Sequence, residues 1–358
     1  MEPLTNKKEL LESIRSIEGS TFDCDEKAIL QAYNKEKEQP SNLAIKILSI
    51  LGGFLATVSF ILFLGLVGLY DSELGFIVIG SLLAISSIAL NKKYDRLIID
   101  TFSISSYISG IALLAFGLAA LKVEQNLIII LISMIATSSL IITQNYILSF
   151  ISIITISGSL LSLILINEFY NLIHLYIAAS TLLLVFIYLN EAKIISYKNK
   201  LSKLYPPIRI GLVFTLLLGL ISIGRRHLIP IDQHYIWLSS IVMILVALYI
   251  VFTIININNI KNTPTKVLVY LFSTLILAST LFSPSISGAI IIVLLSFLVN
   301  HKTSLAIGII FIIYFVSQYY YDLNLTLLNK SILLFSSGIL FLLLYFVTSK
   351  KLNSHEKI

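Results

Sequence analysis

Residues 127–166 read LIIILISMIATSSLIITQNYILSFISIITISGSLLSLILI. One short polar break, Thr143-Gln144-Asn145, interrupts them, and no charged residue occurs. A helix needs about 20 apolar residues to cross a hydrocarbon core about 30 Å thick. The runs on either side of the break, 127–142 and 146–166, approach or meet that length. Both are continuously apolar and lack the period-two alternation of barrel strands, so they read as helices. The stretch is therefore two antiparallel spans joined by a tight turn.

The same reading extends outward in both directions. It places spans at 47–69, 74–90, 98–121, 127–142, 146–166, 171–190, 208–223, 235–255, 267–283, 285–300, 303–318 and 328–348. The expected fold is all-α: a polytopic transmembrane helical bundle of about 12 spans. Composition agrees. Of the 358 residues, 57% are hydrophobic and 12% charged, with mean hydropathy +0.94. A soluble domain is about 25% charged.

Three segments follow: a lead at 1–42, a membrane domain at 43–348 and a basic tail at 349–358. In the lead, Leu10, Leu11, Ile14 and Ile17 share one helical face, and Asp23 or Asp25 is placed to cap a second short helix. The lead shows no early apolar core with a cleavage site, so the first span is expected to act as its own insertion signal. Cys24, the single cysteine, has no partner for an internal disulfide.

Basic residues orient the chain. With the N-terminus in the cytoplasm, 21 of the 25 Lys and Arg fall inside, and Lys122, Arg225, Arg226 and Lys330 fall outside. Both termini are then cytoplasmic. The stretch Glu191–Arg209 reads as a basic inner loop that sets topology or meets anionic lipid. The net charge of +6 thus reflects membrane topology, and no nucleic-acid partner is expected. Ser-Gly pairs at Ser109-Gly110, Ser157-Gly158, Ser287-Gly288 and Ser337-Gly338 have the spacing of an inverted repeat. Small residues that permit close helix packing explain them equally well.

Recognisable catalytic patterns are missing. The histidines His174, His227, His234, His301 and His355 have no metal-ligand spacing, and no P-loop, GxSxG or GxGxxG motif occurs. No catalytic activity, cofactor or metal is expected. Asp100 stands just inside the third span, at i+4 from Arg96, as a local ion pair or an ion contact. Two clusters on the outer side are the candidate partner or lipid contacts. One is Arg225, Arg226 and His227 followed by Asp232, where guanidinium forks suit a phosphate or an acidic group. The other is Tyr321, Asp322 and Lys330, where the lysine enters the last span from outside.

The segment Tyr320-Tyr321-Asp322-Leu323, then Leu327-Leu328, Lys330-Ser331 and Gly338, resembles the C-terminal signature of an uncharacterised family of bacterial polytopic inner-membrane proteins. Gly52-Gly53 at the start of the first span resembles a related family. The resemblance implies a multi-span fold in the bacterial cytoplasmic membrane. It also implies a partner, a small membrane-anchored protein with a GDYxxLxY motif, often encoded nearby. It carries over no catalytic residues. The expected function is a non-catalytic component of a membrane assembly. A transporter or flippase for a neutral or lipid substrate is the alternative, and a lipid-modifying enzyme using His227, Asp232 and His234 ranks third.

Overall fold

The structure, a computed structural model, describes residues 43–68, 72–93, 97–197, 199–224, 229–230, 235–258, 262–322 and scattered positions between 326 and 342. The chain divides into two compact units, Met1–Ala56 and Thr57–Ile358. The described elements are all helices: α1 Leu43–Leu66, α2 Glu73–Lys93, α3 Leu97–Ala120, α4 Gln125–Ile142, α5 Tyr146–Ile166 and α6 Leu172–Leu189. They continue as α7 Glu191–Tyr197, α8 Asn199–Gly224, α9 Ile236–Ile257, α10 Thr263–Ser279, α11 Pro284–Leu298 and α12 Lys302–Asp322.

Each expected span from 47–69 to 303–318 coincides with one helix. The last, 328–348, falls largely outside the described residues, and so do the lead and Cys24. Among the described residues, 8 helices are long and apolar enough to cross a membrane, and α10 and α11 are apolar but shorter. The protein is a multi-pass helical membrane protein.

The connection quoted first shows how local chemistry places a turn. Asn145 caps α5, its side-chain oxygen accepting from the N–H groups of Ile147 and Leu148 at 3.0 and 3.2 Å. Other tight turns close through residues at positive φ: Lys122 at 57°, Glu168 at 58° and Asn300 at 55°. At each turn the following N–H reaches back five residues: Val123 to Leu118, Phe169 to Ile164 and His301 to Ser296. This is the Schellman closure of a helix C-terminus.

The central helix is α8, which packs on α5, α6, α7, α11 and α12. The main core forms around it from Ile177, Leu184, Leu216, Leu220, Met243, Ile292 and Phe315. A separate small core joins Leu64, Phe76 and Leu113 where α2 and α3 pair. There Gly80 and Gly110 bring two backbones together: a Cβ at Gly110 would meet the Ala84 nitrogen at 2.7 Å and the Gly80 oxygen at 2.8 Å. The Ser-Gly echo does not mark equivalent contacts. Gly288 meets the Leu220 side chain of α8 instead of a neighbouring hairpin backbone, and among the described residues Gly158 and Gly338 meet nothing within 4 Å.

One expectation changes. The basic stretch Glu191–Arg209 is expected to be an inner loop. Its described residues are helical, in α7 and the start of α8, with Pro206 and Pro207 inside α8. Each proline lacks an N–H and so leaves one carbonyl a turn earlier without its usual donor. Burial of α8 against its neighbours carries the helix through regardless.

Candidate functional site

The polar chemistry concentrates where α6 ends, α7 and α8 begin and α12 starts. Tyr188, in the last turn of α6, donates its hydroxyl to Ser304 Oγ at 2.8 Å. Ser304 lies in the first turn of α12, and its backbone N–H donates to His301 Nδ1 at 3.3 Å. His301 therefore acts as an N-cap, with Nδ1 as acceptor. The Ser304 hydroxyl, 3.0 Å from the same nitrogen, donates to it as well. A hydroxyl relay thus runs from Tyr188 through Ser304 to a neutral imidazole. Burial first, and then the Arg209 charge, hold the His301 imidazole below its ordinary value of 6.5.

Arg209 is buried in the first half of α8, at 7% exposure. Its guanidinium pairs with Glu191 of α7 at 3.4 Å. The guanidinium carbon stands 5.1 Å from the centre of the Tyr205 ring and 6.0 Å from that of Tyr188, a cation–π arrangement. Its Nε is buried, with no hydrogen-bond partner among the described residues. A buried charge in a membrane domain is costly and marks a position of consequence.

Residues of α5, α6 and α8, with Leu140 of α4, line a groove of about 570 Å³. It is lined by leucine and isoleucine, with Ser157, Tyr176, Ser180 and Thr215 as its polar positions. At the opposite end of α6, His174 Nδ1 lies 2.6 Å from Ser239 Oγ of α9. Among the described residues His174 Nε2 is buried without a partner, and Ser239 is 1% exposed. At that same end, Gln318 donates to the Gly224 carbonyl at 2.7 Å beside a small cavity that Asp322 also lines.

Of the residues selected from sequence, Tyr321 and Asp322 are described. They close α12, with Tyr321 78% exposed and its ring 6.0 Å from that of Tyr320. Arg225, Arg226, His227, Asp232, His234 and Lys330 lie outside the described residues. Arg96 does too, but Asp100 accepts from Asn91 Nδ2 at 3.4 Å, a link between α3 and α2. Among the described residues, no group of His, Cys, Asp and Glu is arranged to hold a metal. Sequence reasoning missed the cluster around Arg209. The available signal was the pairing of Glu191 with a basic residue beyond two prolines, which the loop reading obscured.

Fold and site together define a multi-pass helical membrane protein with a buried charged cluster at one end of its bundle. The chain belongs to the family described as Domain of unknown function (DUF4401), whose model matches residues 42–351. No curated protein and no solved structure matches it.

Proposed function

We propose that the chain is a non-catalytic component of a membrane assembly, orienting both termini to the cytoplasm of a bacterial cell and holding a small membrane-anchored partner. The observation that carries this reading is the end of α12. Tyr321 stands 78% exposed there, next to Asp322, on a helix whose other end is tied to α6 through Ser304 and Tyr188. Tyrosine is enriched at protein contact surfaces. The polar groups at the Arg209 end are turned inward on one another, which suits a structural role.

Transport is the second reading, and the groove beside α5 and α6 favours it for a lipid substrate. The groove's lining offers hydrocarbon in place of a polar path.

Purification from native membranes in mild detergent, with mass spectrometry of proteins and lipids, tests the assembly reading. A stoichiometric small membrane protein is expected, lost on charge reversal by Asp322→Lys or Lys330→Glu. A chain that purifies folded and alone, from membranes where it is abundant, overturns it.

A further inference from the structure

We propose that the small cavity where α8, α11 and α12 meet binds a monovalent metal cation, held by oxygens of Gln318, Ser285, Gly224 and Asp322. Cation binding goes beyond the assembly reading and does not depend on it.

The cavity measures about 20 Å³, and its polar lining comes from Gly224, Ser283, Ser285, Gln318, Tyr319 and Asp322. One water needs roughly 10–15 Å³, so an occupant of atomic size fits. Gly224 closes α8, Ser283 and Ser285 stand at the start of α11, and Gln318 and Asp322 lie in the last turn of α12. A Cβ on Gly224 would lie 3.3 Å from Ser285 Oγ and 3.5 Å from Gln318 Oε1. Glycine at this position thus keeps open the space beside both oxygens.

Hydrogen bonding fixes what these groups can still do. The Gln318 amide gives Nε2 to the Gly224 carbonyl at 2.7 Å. A carbonyl accepts from the NH₂ side alone, which orients the amide. Gln318 Oε1 is then an acceptor, buried and without a partner among the described residues. Ser285 spends its hydroxyl proton on the Leu220 carbonyl at 3.0 Å, so its oxygen has only lone pairs left to offer. The Gly224 carbonyl keeps a second lone pair. Asp322, four residues after Gln318 on α12, brings a carboxylate to the same cavity. Ser283, at the N-cap of α11, makes no side-chain cap bond, so its hydroxyl can turn an oxygen inward as well.

The lining therefore presents acceptors and one negative charge. It contains no Lys, Arg or His among the described residues. Two helix C-termini, of α8 and α12, add negative potential against the one N-terminus of α11. Water matches the size but leaves the carboxylate charge unanswered. A cation answers the charge and the orphaned amide oxygen together. Amide, hydroxyl and main-chain oxygens suit a hard cation and not a transition metal. A single carboxylate balances a single positive charge. Main-chain carbonyls at helix C-terminal ends hold such ions elsewhere in membrane proteins.

The test is equilibrium binding of radioactive sodium, and of rubidium standing for potassium, to the full chain in detergent with any partner it retains. Choline chloride keeps the ionic strength constant. Saturable binding of one of the two ions is expected, and the melting temperature should rise with that ion and not with choline. Gly224→Ala places a methyl group in the ion's space and should abolish binding, at an unchanged melting temperature in choline chloride. Asp322→Asn should weaken binding at least about tenfold. Gly224→Ala leaves Tyr321 and Asp322 in place, so partner retention measured on it by mass spectrometry separates this proposal from the assembly reading. Absence of saturable binding for both ions overturns the proposal, the cavity then holding water or an arginine side chain. Binding that survives both substitutions unchanged overturns it too, since the ion then sits elsewhere.

Discussion

Tyr188 and Ser304 are 116 residues apart and meet through one hydroxyl hydrogen bond of 2.8 Å, which ties the end of α6 to the start of α12. Both are buried, and Ser304 passes the interaction on to His301. Tyr188→Phe should cost about 1 kcal/mol, the net worth of such a bond. A double-mutant cycle with Ser304→Ala, read by thermal unfolding in detergent, should show the two changes to be strongly non-additive. Additive effects would mean that the two side chains do not interact.

Removing the partner of Arg209 should be worse than removing both charges. A lone buried charge left by breaking a pair costs roughly 3–5 kcal/mol when the pair is fully buried. The Glu191 side chain is 28% exposed, so Glu191→Gln should cost about 1–2 kcal/mol. The double variant Glu191→Gln, Arg209→Met should recover most of that loss. Thermal unfolding of the three proteins side by side reads the order.

Acid should loosen this end of the bundle. The folded-state value of His301 lies below its ordinary 6.5, so the unfolded chain takes up the proton first as pH falls. Stability is therefore complete above about pH 6.5 and declines as pH falls from there toward the folded value. Protonation also removes the Nδ1 acceptor used by Ser304. His301→Gln should flatten this part of the pH–stability profile. A wild-type profile that is already flat between pH 7 and pH 5 would contradict the assignment.

The contact of α2 with α3 is a backbone contact, so it should tolerate no added bulk. Gly110→Val places carbon against the Ala84 nitrogen and the Gly80 oxygen, both main-chain atoms that cannot swing aside. A loss of about 2 kcal/mol or more is expected. Gly158→Ala, at a position with nothing among the described residues within 4 Å, should be close to neutral. Size-exclusion profiles and melting temperatures of the two variants compare them directly.

Glu168 holds φ at 58° in the turn between α5 and α6. Glycine adopts that conformation without a Cβ penalty. Glu168→Gly should raise stability by up to about 1 kcal/mol, seen as a higher melting temperature.

The span positions were legible because each depends on a short window of sequence. Residues 127–166 alone contain two helix-length apolar runs, and Asn145 caps the second from within the turn. Burial of Arg209 was not legible. Its neighbours in sequence, Pro206-Pro207 and the lysines before them, resemble a loop. What buries it are Tyr188 on α6 and Glu191 on α7. His301 was visible as an isolated histidine, but its role came from Ser304 and the Tyr188 hydroxyl beyond it.

By itself, then, the sequence determined that this is a multi-pass helical membrane protein, because water expels long apolar runs and a lipid core demands internally satisfied backbones. Those constraints act within single segments. Tertiary structure decided which helix lies at the centre, which residues of α5, α6 and α8 line a groove, and which charges leave the surface. In hydrocarbon every apolar face is equally acceptable to lipid, so the choice of neighbours rests on close packing, as at Gly80 and Gly110, and on a few hydrogen bonds, as at Tyr188 and Ser304. Such contacts join residues far apart in the chain and leave no periodic mark in it.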